Sequence, residues 1–250
     1  MDLQKIARKT LSDEVFEQLS AEIVEGRVEA GDALPAERDL VAQLGVHRGA
    51  VREALRRLAQ AGLVSIQQGG ATRVLDFRRS AGLDLLSRLL LRADGDIDLQ
   101  AARGLVEMRA ALAPDIARLC ARRGGPEVAA RLKGIVVEMG KRQDDLARLQ
   151  TLSIAFWEEL VRGSDNIAYE LAFNTLKETY ERIREALTQV MADELRDRRS
   201  YHSIAESVAR GDDLAAKHVA QALIEKGTHR VLVLIAVLEP KSGPRRGGES

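Results

Sequence analysis

The sequence predicts a mainly α-helical protein whose strand signal is confined to one short β-hairpin in the first third of the chain. Three observations lead there. Alanine, leucine, arginine and glutamate are abundant and aromatic residues make up 3% of 250 positions, a mixture that favours helix. Residues 63–77, LVSIQQGGATRVLDF, alternate apolar and polar positions around Gly69–Gly70, the pattern of strand, turn and strand. From residue 78 onward that alternation disappears and the apolar spacing is helical.

Each element has its own signal. SDEVFEQLSAEIVEG (12–26) opens with Ser12 as the expected N-cap, carries Val15, Leu19, Ile23 and Val24 at helical spacing, and stops at Gly26. A turn follows, and a second helix is expected just after Pro35, a residue suited to a helix start, ending at Gly45. Val46, His47 and Arg48 form a short turn into a third helix that runs to Ala61, with Gly62 closing it. Two helices joined by a tight turn, with a hairpin behind, describe a winged helix-turn-helix over residues 1–77. A linker helix is expected near 81–92, within a connection spanning 78–97. Helices are then expected near 98–122, 127–141, 145–162, 166–190, 193–210 and 213–238, with breaks at GG (124–125), GSDN (163–166) and RGDD (210–213). Residues 78–238 thus read as an antiparallel helical bundle of six or seven helices, with 98–238 as the effector-binding and regulatory domain. The polar, Pro- and Gly-rich stretch 239–250 reads as a disordered tail.

Composition narrows the function. With 45% hydrophobic and 30% charged residues, the chain has enough apolar side chain for a substantial core. Its single cysteine, Cys120, excludes an intrachain disulfide and fits a reducing compartment. No basic start followed by an apolar run marks a signal peptide. The longest apolar run, 231–238, is far below the roughly 20 residues needed to span a bilayer. The expectation is a cytoplasmic, nucleoid-associated protein that does not meet a membrane. No phosphate loop, nucleophile elbow, H-E-x-x-H or His–Cys constellation is present, so no enzyme and no cofactor is expected.

The formal net charge is zero, but it is a cancellation. Residues 1–46 hold five basic and ten acidic residues, whereas 47–79 hold seven basic and two acidic ones. Arg48, Arg52 and Arg56 recur every four residues and form one stripe, while Val51, Leu55 and Leu58 fall on another face. A helix entering the major groove needs this division: an apolar face to pack, a basic face to meet phosphates, and N-terminal residues near base edges. The competing reading is a solvated face whose arginines pair with acids, as Arg57 would with Glu53 for a few tenths of a kcal/mol. The adjoining helix, turn and hairpin favour DNA. A winged domain that binds another protein stays as an alternative.

The stretch LPAERDLVAQLGVHRGAVREALRRLAQAGLVSIQQGGATRV resembles the DNA-binding domain of the GntR family of bacterial transcription regulators. The helical region, with E-x-R at Glu107–Arg109, resembles the FCD effector domain of its FadR subfamily. The resemblance implies a homodimer on a near-palindromic double-stranded operator. It implies DNA contacts from Arg38, from His47, Arg48, Gly49, Ala50 and Arg52 at the start of the third helix, and from Gln68 and Gly69 at the wing tip. Arg48 is the expected guanine reader. Many FCD domains hold a metal through an aspartate and three histidines; here Ser153, Trp157, Tyr201 and Leu223 stand at or near those positions, so no metal is expected. His218 and His229 are expected on the surface of the last helix. The stretches RVLDFRRSAGLDLL and NTLKETYERI are similar to the fatty-acyl-CoA-sensing branch of the subfamily. That likeness implies a long-chain acyl-CoA effector and a pocket including Trp157, Tyr180 and Gly227, with Leu187, Leu223 and Val231 in place of pocket aromatics. A small carboxylate effector is the alternative, and a bulky Trp157 is also expected to be able to close the cavity, giving a regulator with no ligand.

Overall fold

The computed structural model describes residues 10–67, 70–92 and 95–239. The chain forms two compact units that meet in sequence between Ile97 and Asp98.

In the first unit, α1 (Leu11–Val24) starts at Thr10 rather than at Ser12. The reason lies three residues on. Thr10 Oγ1 accepts the Asp13 backbone N–H at 3.2 Å, and the Asp13 carboxylate accepts the Thr10 N–H at 2.9 Å. A cap at Ser12 would put Val15 at that third position, where it has nothing to return. Val15, Phe16, Leu19 and Ile23 form the buried stripe of α1. Next, α2 (Glu37–Leu44) ends at Gly45, whose φ of 65° closes the last turn. Then α3 (Arg48–Gln60) sets Val51, Ala54, Leu55 and Leu58 against α1, each at 3% exposure or less. Gly62, at φ 71°, passes so near the chain that a Cβ would lie 2.5 Å from the Ser80 carbonyl oxygen. β1 (Val64–Ser65) and β2 (Arg73–Val74) pair antiparallel with Val64 opposite Val74. Their inward residues Val64 and Val74 join Leu34, Leu40 and Leu63 in one core.

The linker helix expected near 81–92 forms in part: after a separate turn, α4 (Phe77–Ser80), a 3₁₀ turn at Leu83–Leu85 runs directly into α5 (Leu86–Leu89). Ser80 turns its hydroxyl onto the Gly62 and Asp76 carbonyls at 2.7 and 2.9 Å, and Ala81 and Gly82 are extended. That extension ends the first turn before the next begins.

The second unit is built from α6 (Leu99–Arg123), α7 (Gly125–Gly140), α8 (Leu146–Gly163), α9 (Ile167–Arg182), α10 (Arg184–Val190), α11 (Ala192–Leu195), α12 (Arg198–Arg210) and α13 (Asp213–Leu238). Side-chain caps from Asp98, Asp145, Asn166, Asp197 and Asp212 start five of them. This is eight helices among the described residues of the unit, because two expected ones are broken. The stretch 166–190 breaks at Ile183, and 193–210 breaks where Asp197 caps α12 by accepting the Ser200 N–H at 3.2 Å. α13 runs along α6, and α12 packs on α7 and α13. Between them lies a core in which Phe156 and Tyr201 meet edge to face, centroids 5.0 Å apart.

Candidate nucleic-acid interface and effector cavity

In the first unit, the buried face of α3 leaves its arginines outward. Arg48 and Arg52 have side chains 71% and 57% exposed, and Arg56 is exposed one turn further. The first residue of α2 stands between the first two. Glu37 accepts the Arg52 Nε–H at 3.1 Å and the Arg48 Nε–H at 3.4 Å. Arg38, 93% exposed, lies 3.4 Å from Asp39. Ion pairs this exposed are worth about 0–1 kcal/mol, so these guanidinium groups are held only lightly.

His47 caps α3. Its Nδ1 accepts the Ala50 N–H at 3.2 Å. Gly49 makes room for that cap, since a Cβ there would lie 3.1 Å from the same nitrogen. Ala50 departs from its expected place. It is 2% exposed, its methyl group is in the core and its N–H is taken by His47, so it supports the helix start and has no surface to offer DNA. Gln68 and Gly69 lie outside the described residues. Arg57 pairs with Asp13 at 2.5 Å and stacks over Phe16, 4.5 Å from the ring centroid. It therefore ties α3 to α1 instead of pairing with Glu53. Backbone and hydroxyl hydrogen bonds from Thr10, then the Arg57 guanidinium, hold the Asp13 carboxyl well below the usual range. Glu37 went unnoticed in the sequence; the signal was there, an acid beside Arg38 at the helix start.

In the second unit, an apolar cavity of about 100 Å³ contains Trp157, Tyr180 and Gly227 in its wall, with Phe173, Leu187 and Val231. Trp157 lines the space without closing it. Leu223 does not reach it and is fully buried in the core. Arg109, from the E-x-R motif, also faces the cavity and forms a two-bonded ion pair with Glu194 of α11, one bond being Nη1–Oε2 at 3.1 Å. Glu194 is completely buried, and burial pushes its carboxyl up, against the pull of Arg109. The Gly227 N–H donates to the same carboxylate, and a Cβ at Gly227 would collide with it. Gly227 thus seats Glu194. Tyr180 is spoken for as well: its hydroxyl accepts the Gln150 Nε2–H at 2.6 Å and faces Met191 Sδ at 3.8 Å. Gln150 also accepts from Arg184 Nε at 3.0 Å and Thr188 Oγ1 at 2.9 Å, tying α8 to α10. Burial raises the Tyr180 and Tyr201 hydroxyls.

The residues at the metal-ligand positions do not fit a metal. The Ser153 and Tyr201 hydroxyls bond each other at 2.7 Å, Trp157 offers only an indole N–H, and Leu223 offers nothing. His202 is 58% exposed near Glu206. His218 and His229 are exposed on α13. No three His, Cys, Asp or Glu side chains among the described residues converge on a point.

A basic helix packed on a second helix with a hairpin behind, followed by a separate helical unit with an internal cavity, is the layout of a winged-helix regulator. Comparison with known proteins is specific. Residues 11–74 match the model described as bacterial regulatory proteins, gntR family, and residues 104–226 match the FCD domain. The HTH-type transcriptional regulator Mce2R of Mycobacterium tuberculosis is 38% identical over 235 residues, covering 94% of this chain and 97% of that protein. A fatty acid metabolism regulator protein of Salmonella paratyphi C is 30% identical over 213 residues, 85% of this chain and 80% of its own. The solved structure of Lar, which controls expression of the Listeria monocytogenes agr system, shares the fold at a TM-score of 0.56, 18% identity, 91% coverage of this chain and 99% of its own. The chain belongs to the GntR family of transcriptional regulators, with an FCD domain as its second unit. No helix among the described residues is long and apolar enough to cross a membrane.

Proposed function

We propose that this regulator binds a near-palindromic double-stranded operator as a homodimer, and that a fatty acyl-CoA entering the helical unit lowers its affinity for DNA. The observation that carries the first half is the outward arginine row of α3, supported by Arg38 and lightly held by Glu37. Arg48 is the guanine reader, Arg52 meets phosphate one turn on, and His47 and Gly49 shape the helix start. A two-fold dimer places two such helices on two half-sites. The second half rests on the apolar cavity with Trp157 and Tyr180 in its wall and on likeness to a fatty acid metabolism regulator. The effector must favour the low-affinity state by the coupling free energy, commonly about 1–3 kcal/mol. The protein acts in the cytoplasm and turns over no substrate.

One observation favours a second reading. The cavity, about 100 Å³, is smaller than the roughly 300–1,000 Å³ of sites for drug-sized ligands, which suits a small carboxylate unless the walls part. Fluorescence anisotropy on DNA from the gene's own upstream region separates the readings. Tight binding reversed by long-chain acyl-CoA is the expected result. Binding reversed by short carboxylates alone would move the effector to the second reading, and no binding to that DNA would contradict the placing of an operator there.

A further inference from the structure

The cavity wall is apolar except for five side chains, and their hydrogen bonds identify what the occupant must bring. Three are occupied. The Ser153 hydroxyl bonds Tyr201, the Tyr180 hydroxyl bonds Gln150, and Lys177 reaches Glu158 at 3.1 Å on the half-exposed rim. The other two are donors. Trp157 is 6% exposed and its indole N–H is buried with no partner among the described residues. Arg109 presents a guanidinium whose acceptor among the described residues is the wholly buried Glu194 carboxylate. A buried donor left unpaired costs about 1–3 kcal/mol. The wall therefore has buried donors to give, which selects a ligand that brings oxygen at the end of an apolar chain. A cationic head group would meet Arg109 and be rejected.

The carboxylate already on Arg109 is placed to be exchanged. Glu194 belongs to a four-residue helix, α11, bounded by breaks at Met191 and Asp197. It is the covering group, and its own burial disfavours its charge. Resting on the reading that an acyl effector occupies this cavity, we propose that Arg109 and the Trp157 N–H are the receptor for the acyl oxygen, which takes the place of Glu194 on Arg109. Glu194 then acts as an internal stand-in for the ligand head, and the release of α11 is the first structural consequence of binding. The acyl oxygen has two sources, the thioester of an acyl-CoA and the carboxylate of a free fatty acid.

Trp157 is the only tryptophan in the chain, so its intrinsic emission reports on the cavity directly. The full-length protein is titrated with palmitoyl-CoA, with palmitate, and with S-hexadecyl-CoA, a thioether that keeps chain and nucleotide but lacks the carbonyl oxygen. Saturable quenching or shift by palmitoyl-CoA or palmitate, with the thioether at least tenfold weaker, is expected; the tighter of the first two identifies the source. Glu194→Gln is expected to tighten the preferred acyl ligand about tenfold, an outcome a purely structural role would not produce. Should that variant not fold, Arg109→Leu with Glu194→Leu, which removes both charges together and leaves only the Trp157 N–H, is expected to lose most of the preference for thioester over thioether. Equal affinity of the wild-type protein for thioester and thioether, or weaker acyl binding by a folded Glu194→Gln protein, would overturn the exchange while leaving an acyl effector standing. No saturable response to any of the three ligands would overturn the acyl effector and the exchange together.

Discussion

Two ion-pair sites, one in each unit, use the same chemistry in opposite surroundings. In the first, Glu37 holds Arg48 and Arg52 in water, with the arginines more than half exposed. In the second, Glu194 holds Arg109 with no exposure of its carboxylate. Screening makes the first pair cheap to open, so its arginines are free for a polyanion. Desolvation makes the second pair costly to open unless a new acceptor arrives at once. One arrangement keeps a surface available, and the other makes opening conditional on a ligand.

The largest expected effect comes from breaking the buried pair on one side. Arg109→Leu leaves Glu194 buried without its counter-charge and is expected to cost roughly 3–5 kcal/mol of stability. Arg109→Leu with Glu194→Leu recovers most of that loss, and chemical denaturation of both proteins checks it. Next comes the exposed site, where stability is not at stake. Arg48→Ala is expected to weaken operator binding by about 1–3 kcal/mol if it reads guanine while leaving the denaturation midpoint in place. Anisotropy on matched and guanine-substituted sites measures this, and an equal loss on both sites assigns Arg48 to phosphate.

A smaller effect lies in the support beneath the arginine helix. Thr10→Ala removes the cap of α1 and is expected to cost about 1 kcal/mol. It also releases Asp13, whose carboxyl Thr10 and Arg57 hold low. The carboxylate is favoured in the fold, so its contribution is full above the ordinary carboxylate range and is lost as pH falls through and below it. The gap between wild type and Thr10→Ala is therefore expected to narrow in acid, which thermal unfolding at a series of pH values reads. The smallest effect is Glu37→Gln. It frees both arginines of an exposed partner and is expected to strengthen DNA binding by less than about 1 kcal/mol, with the gain shrinking in salt.

The arginine helix was legible in the sequence because one period carries two patterns: arginines every four residues on one face and Val51, Leu55 and Leu58 on another. The same periodicity showed the long helices of the bundle. Where it misled, local geometry decided. Ala50 looked small enough to approach DNA, yet its position in the helical period is on the apolar face with Ala54. The cap of α1 depended on Asp13 rather than on the nearest hydroxyl before the apolar run. The helix expected near 81–92 is shortened to 83–89, because Ser80 turns its hydroxyl to the backbone and Gly82 extends the chain before it. Trp157, Tyr180 and Gly227, expected in one pocket through resemblance, do line one cavity. Glu194 had no visible signal. It sits in a charged stretch, ADELRDRR, that reads as solvated surface, and its partner is 85 residues away.

The most direct test of the account is the salt dependence of operator binding for the wild-type protein and for Arg52→Ala. Binding through the α3 arginine row predicts an affinity that falls steeply as salt rises through counterion release, and a slope about 1 shallower for the variant. A shallow wild-type slope, or one that Arg52→Ala leaves unchanged, would contradict the placement of DNA on this face.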